Sequence, residues 1–208
     1  MHDFLMFVVL SIFLVILPGP DTVLVIQGAS SRGKKEGLRT VFGITTGVLV
    51  HTSAAVLGLS IIIVNSSFLF ETLKFVGAVY LVYIGVSTLI ASRKRKNKHY
   101  QAQKKPFKLV QSGFKKGLVT NVVNPKVAVF FLTFLPQFIN VEKGSFLQFL
   151  GLGLTYCLLT FIWFCFVLYL IKFIKNWMNR PSTQSVIERV SGSVLVIFGL
   201  KLAFEKQP

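Results

Sequence analysis

The sequence predicts an all-α integral membrane protein: six transmembrane helices arranged as two inverted three-helix repeats, with helices 1 and 4 broken at Pro motifs. Three observations carry this prediction. Apolar runs of about 20 residues, the length at which a helix crosses a bilayer, recur along the 208-residue chain. Of the 23 Lys and Arg residues, 18 collect in alternate links between those runs. A proline followed by a charged residue and an apolar run occurs once in each half, at Pro20-Asp21 and at Pro125-Lys126. Composition agrees: 14% of residues are charged, where a soluble domain carries about 25%.

The first span covers about residues 4–27 and is interrupted at Leu17-Pro18-Gly19-Pro20-Asp21. Proline lacks an N–H and clashes with the preceding turn, so two prolines and a glycine break the helix. An acid at a break inside a membrane costs several kcal/mol, which marks the place as a site. A polar loop is expected at 28–39, with Arg32, Lys34, Lys35 and Arg39. The second span covers about 38–64, and after Asn65-Ser66-Ser67 the third covers about 68–91. The polar segment 92–116 follows with ten basic residues. Its early part reads as a linker. Its later part, 107–119, mixes Phe107, Leu109, Val110, Phe114 and Leu118 with lysines and reads as a helix lying in the cytoplasmic interface. The fourth span, about 120–139, opens on Asn124-Pro125-Lys126 and closes on Leu135-Pro136-Gln137. The fifth covers about 146–171 and the sixth about 185–204. Residues 1–91 are thus the first repeat, 92–119 the basic cytoplasmic linker and interfacial helix, and 120–208 the second repeat.

The net charge of +16 raises nucleic acid as a partner, but the placement of the charges excludes it. Links one, three and five hold 18 of the 23 basic residues. By the positive-inside rule these links are cytoplasmic and both termini lie outside. Trp177 and Tyr169 fit the aromatic belt at the cytoplasmic interface. No Lys or Arg precedes Arg32, so the first apolar run is not read as a cleavable signal. Cys157 and Cys165 share one span without a neighbouring histidine, which suits two small buried hydrophobes better than a metal, a disulfide or a redox carrier.

The halves repeat loosely. Residues 124–130 lay onto 19–25, and 191–199 onto 76–85. A three-span unit is odd-numbered, so its second copy enters from the other side, and inverted repeats of this kind belong to transporters with a site where the halves meet. Pro20 and Pro125 are each placed to start a half-helix, where the missing N–H costs nothing and the positive end suits an anion. Asp21 and Lys126 are the charges that fall at breaks. The other acids (Asp3, Glu36, Glu71, Glu142, Glu188 and Glu205) lie at span ends or in links. Packed face to face, Gly19, Pro20, Asp21 and Thr22 with Asn124, Pro125 and Lys126 form a candidate binding site for a small zwitterion, with the alternative that Asp21 and Lys126 merely pin the halves as an ion pair. Burial disfavours a charged carboxylate, so Asp21 is also a candidate proton carrier. His51, deep in the second span, is a candidate relay for protons or a histidine bonded to a neighbouring helix. Thr45 and Thr46 are candidates to line the path, and Gln137 to cap a break. Gly43 and Gly47 are a small-xxx-small pair that packs helices and would permit a homodimer.

The runs LPGPDTVLVIQGASSRGKKEGLRTVFGITTG, NPKVAVFFLTFLPQF and GAVYLVYIG together resemble the LysE/RhtB family of bacterial amino-acid exporters. The resemblance covers nearly the whole chain. It implies a six-span protein of the bacterial cytoplasmic (inner) membrane that exports amino acids or small derivatives, driven by the proton gradient. It places the family's proline-acid turn on Pro18 to Asp21 and its asparagine-proline-lysine turn on Asn124 to Lys126. The partners are then a small zwitterionic substrate, protons and the lipid bilayer, with no nucleic acid. No cofactor or metal ion is called for, and the chain is not read as an enzyme. The rival readings are a metal-ion exporter, a membrane redox carrier and a non-transporting scaffold.

Overall fold

The structure, a computed structural model, describes residues 2–17, 19–59, 67–96, 112–140, 144–171, 173 and 181–204. Eight α-helices run through them: α1 His2–Ile16, α2 Pro20–Arg32, α3 Lys34–Ala54, α4 Ser67–Lys96, α5 Gly113–Val122, α6 Pro125–Val129, α7 Ser145–Tyr169 and α8 Pro181–Phe204. Pro18, the basic stretch 97–111 and Trp177 lie outside the described residues.

Both predicted breaks are present. α1 closes with Leu17 N donating to Phe13 O, and Gly19 turns extended before Pro20 takes the first position of α2. The two helices meet at 52°. In the second half α5 ends at Val122, Asn124 caps α6 and Pro125 takes its first position; that pair bends by 47°. α6 then continues as a π turn, Phe130–Phe134, and a 3-10 turn, Leu135–Phe138. The cause is Pro136: it offers no N–H to the carbonyl four residues back, so the regular ladder cannot pass through it. Gln137 caps locally, its side-chain amide donating to Thr133 O at 3.0 Å.

Some expectations are corrected. Residues 28–39 are not a loop. α2 and α3 run through them, and Gly33 alone separates the helices. Gly33 has φ +87°, a backbone that glycine adopts without strain, and it lets the chain reverse in one residue. Residues 113–119 lie in α5, which packs along α3. Lys34–Gly58 and Ser145–Tyr169 are each long and apolar enough to cross a membrane, and the two bent pairs bring the candidate spans to four at most among the described residues. Six were expected. α4 offers a shorter apolar stretch, Lys74–Ile90, and α8 carries Glu188 and Arg189 in its first half.

Close backbone contacts hold these helices together. A Cβ on Gly43 would meet Phe114 O, and would come within 2.8 Å of Leu118 N; one on Gly47 would stand 2.7 Å from Asn121 Oδ1. Gly113 and Gly117 of α5 press equally close to α3. α4 and α8 run antiparallel, with Gly85 against Gly192 O and Gly199 against Ala78 O. The small-residue faces that would permit a homodimer are therefore used within the chain. Gly43→Leu should lower the detergent unfolding midpoint and membrane yield, by an overpacking cost of about 1–3 kcal/mol or more. Gly151→Leu is the control, since nothing lies within 4 Å of a Cβ there. Equal midpoints for the two variants would show that the α3–α5 contact does not hold the fold.

Two apolar clusters flank the centre. One gathers Phe7, Leu14, Val15, Val48, Val127, Phe130, Phe131 and Tyr156 from α1, α3, α6, the π turn after it, and α7. The other gathers Val25, Ile26, Val41, Ile44, Phe164 and Val167 from α2, α3 and α7. On the cytoplasmic side of the predicted topology, Glu36 ties α3 to α5: its carboxylate accepts from Gly113 N at 2.6 Å and pairs with Arg39 at 3.2 Å.

Candidate functional site

A helix that stops inside a membrane leaves backbone groups to satisfy, and no water is at hand to do it. In an unbroken helix the carbonyl of Leu14 would accept from the amide of residue 18. That residue is proline and has no N–H. Leu17 O would accept from Asp21, but the extended Gly19 turns the chain away. Lys126 fills both positions: its Nζ donates to Leu14 O at 3.1 Å and to Leu17 O at 2.8 Å. Gly19 lies beside the ammonium, where a Cβ would stand 3.5 Å from Nζ.

The exchange is reciprocal. Asp21, in the first turn of α2 and 5% exposed, reaches the second break. Its Oδ2 accepts from Asn124 Nδ2 at 2.9 Å and from Asn121 Nδ2 at 2.9 Å. Asn124 uses its Oδ1 to cap α6 at the Lys126 amide. The charged residue of each break thus serves the other break. Asp21 and Lys126 do not form a direct salt bridge, since no nitrogen–oxygen pair between them lies within 4.0 Å.

Asp21 and Lys126 nevertheless line one small cavity, of about 10 Å³, with room for about one water molecule. Val15, Val48, Asn121, Val127, Tyr156, Thr160 and Phe164 complete its wall. It sits where the two apolar clusters meet. Two buried acceptors on this wall, Asp21 Oδ1 and Asn121 Oδ1, have no hydrogen-bond partner among the described residues. A carboxylate and an amide oxygen left unpaired in an apolar interior are costly unless something binds them. On the donor side, an ammonium has three N–H groups, and Lys126 spends two on carbonyls. The residues that line the cavity therefore leave two acceptors, Asp21 Oδ1 and Asn121 Oδ1, and one N–H of Lys126 without a partner among the described residues.

The remaining candidates fall around this cavity. Thr22 is buried beside Asp21, Pro20 is exposed and Pro125 is half-buried. His51 stands one residue behind the wall: its Nε2 bonds Asn121 O at 3.1 Å and its ring stacks on Phe131 at 5.7 Å. A carbonyl only accepts, so Nε2 carries the hydrogen and Nδ1 is the open nitrogen of the neutral ring. Thr45 and Thr46 turn their hydroxyls to Val41 O and Phe42 O of their own helix and do not line the cavity. Asn121 escapes the sequence reading, although it touches Asp21 with its side chain and His51 with its carbonyl. Its signal was its place three residues before Asn124, one helical turn from a capping residue. Tyr156 was hidden among aromatics; it is buried and stacks on Phe130 at 4.6 Å. Among the described residues no three of His, Cys, Asp and Glu gather as a metal site would require.

Comparison with known proteins follows this geometry. The family model described as "LysE type translocator" matches residues 12–206. An uncharacterized membrane protein, YrhP, of Bacillus subtilis is 35% identical over 97% of this chain and 98% of its own length. A threonine efflux protein of Salmonella typhi is 32% identical over 91% of each chain. A leucine efflux protein of Salmonella choleraesuis is 28% identical over 93% of this chain and 91% of its own. No solved structure matches the chain.

Proposed function

The chain belongs to the LysE type translocator family, and from that premise we propose that it is a secondary transporter exporting an amino acid or close derivative across the bacterial cytoplasmic membrane in exchange for protons. The observation that carries this reading is the pair of unpartnered buried acceptors, Asp21 Oδ1 and Asn121 Oδ1, on one cavity with the Lys126 ammonium. The substrate ammonium bonds the two acceptors. Its carboxylate takes the third N–H of Lys126. The N-terminus of α2 already has the Asp21 carboxylate in its first turn, so the dipole there favours the substrate's cationic end no more than its anionic one. A proton arriving at Asp21 neutralises the carboxylate and releases the ammonium; loss of that proton restores the site. This competition couples the two flows. Open Nδ1 of His51, behind Asn121, is the station through which the proton reaches or leaves Asp21. Gly19, Pro20, Thr22, Asn124 and Pro125 form the two breaks that bring these groups together.

The names of the relatives support amino-acid efflux. The antiparallel pairing of α4 with α8, and the meeting of the two breaks, support two inverted three-helix halves of six spans, joined by the basic linker. The basic links then face the cytoplasm and the termini the outside.

Purified protein in liposomes loaded with labelled amino acids should release them faster under an inward proton gradient, and a protonophore should remove the acceleration. Efflux indifferent to the gradient for every amino acid tried would end the exchange mechanism.

A further inference from the structure

We propose that the small cavity between Asp21 and Lys126 is a binding site for one water molecule, which solvates both charges while the lining around them is closed. The space is about 10 Å³, the size that one water needs. Asp21 and Lys126 line it from the two breaks, yet no nitrogen–oxygen pair between them lies within 4.0 Å. Asp21 Oδ1 is buried with no partner among the described residues, and Lys126 spends two of its three N–H groups on carbonyls. A carboxylate oxygen and an ammonium hydrogen left like this are costly. One water answers both, donating to Asp21 Oδ1 and accepting the third N–H of Lys126.

The second hydrogen of the water also has an acceptor. Asn121 donates its Nδ2 to Asp21 Oδ2 at 2.9 Å, which fixes its amide and leaves Oδ1 over. Tyr156 lines the same space and brings a hydroxyl that can accept as well. Either one gives the water three bonds, the usual number for a buried water. A cation would suit the oxygens but would stand against the Lys126 ammonium, which repels it.

This deepens the exporter reading, because the water takes the groups proposed there for the substrate. Even glycine is several times the size of a water, so the lining as it stands excludes every amino acid. Val15, Val48, Val127 and Phe164, each at most 5% exposed, pack around the space. Substrate reaches Asp21 and Lys126 only when these segments part and the water leaves. The water in turn lets the two charges close over no substrate without stranding either.

The test is the structure of the purified protein in lipid nanodiscs, without added amino acids, at a resolution that shows ordered water. Two buffers are compared, sodium chloride and choline chloride. One peak should stand about 2.5–3.2 Å from both Asp21 Oδ1 and Lys126 Nζ, in both buffers. Tyr156→Phe should keep the peak, because the two charges hold it. A peak in sodium alone would make the site a cation site and overturn the proposal. So would a direct contact of Asp21 with Lys126 and no peak, or loss of the peak in Tyr156→Phe. The liposome efflux assay stands apart: a peak without efflux removes the exporter and keeps the water site, and efflux without a peak does the reverse.

Discussion

Asp21→Asn should abolish proton-driven export while leaving the protein folded and in the membrane. The hydrogen-bond geometry explains why both halves of that result are expected. Asp21 Oδ2 accepts from Asn121 and Asn124, and an asparagine oxygen placed there can accept both bonds. The amide nitrogen then takes the position of Oδ1, which has no partner to lose among the described residues. Stability should therefore change little, and the detergent unfolding midpoint is the measurement that checks it. Transport should not survive. The variant has no charge for the substrate ammonium, and its NH₂ points a donor where an acceptor is needed. Losing a hydrogen bond to a charged group costs about 1.5–3 kcal/mol, which is about 10–100-fold in binding. The variant also cannot take up and release a proton, so whatever flux remains should ignore the gradient. Full gradient-driven export by Asp21→Asn would remove Asp21 from the mechanism.

Lys126→Met should fail in the opposite way, losing stability together with transport. Methionine fills similar space but donates nothing. The carbonyls of Leu14 and Leu17 would be left bare at the end of α1, at about 1–3 kcal/mol for each stranded acceptor. The unfolding midpoint should fall well below that of Asp21→Asn, and the membrane yield with it. Equal midpoints would mean that Lys126 is not what closes the first helix. The same geometry disposes of a simpler experiment. Exchanging the two charges would rescue a plain ion pair, but an aspartate at 126 would set a carboxylate against two carbonyl oxygens. The swapped protein should fail to fold whether or not the site binds substrate.

The contrast between these variants separates the two roles that the sequence left joined. Lys126 is a structural group with one donor to spare. Asp21 is a group with one oxygen to spare and little structural work on that side. A scaffold reading accounts for the first and leaves the unpartnered oxygen of the second without a reason.

Much of this was legible in the residues. The apolar runs, the alternation of basic links and the two proline motifs placed the chain in a membrane and put its breaks at 18–21 and 124–126. Those are local facts: a proline removes its own N–H wherever it stands, and an apolar run of sufficient length needs no partner to be recognised. Polar stretches are less legible. The segment 28–39 reads as a loop because it is charged, yet charged residues extend a helix beyond a membrane as readily as they leave one, and only Gly33 interrupts it. Residues 113–119 look amphipathic. Their glycines, however, are spaced to meet the α3 backbone, and that use of them depends on α3 being there.

The sequence by itself determined the class of protein, the positions of both breaks and the two charges at them. Only the tertiary structure decided which group answers which. A broken helix announces that carbonyls or amides are in want of partners, but at the first break the partner of the Leu14 and Leu17 carbonyls is supplied by Lys126, more than a hundred residues on, while at the second Asn124 caps the Lys126 amide and Asp21 holds the side chains of Asn121 and Asn124. Backbone hydrogen bonding is short-ranged in sequence when a helix is whole. Once broken it becomes a matter of packing, and packing also set Asn121 between Asp21 and His51 and closed an apolar wall around the acceptors left over.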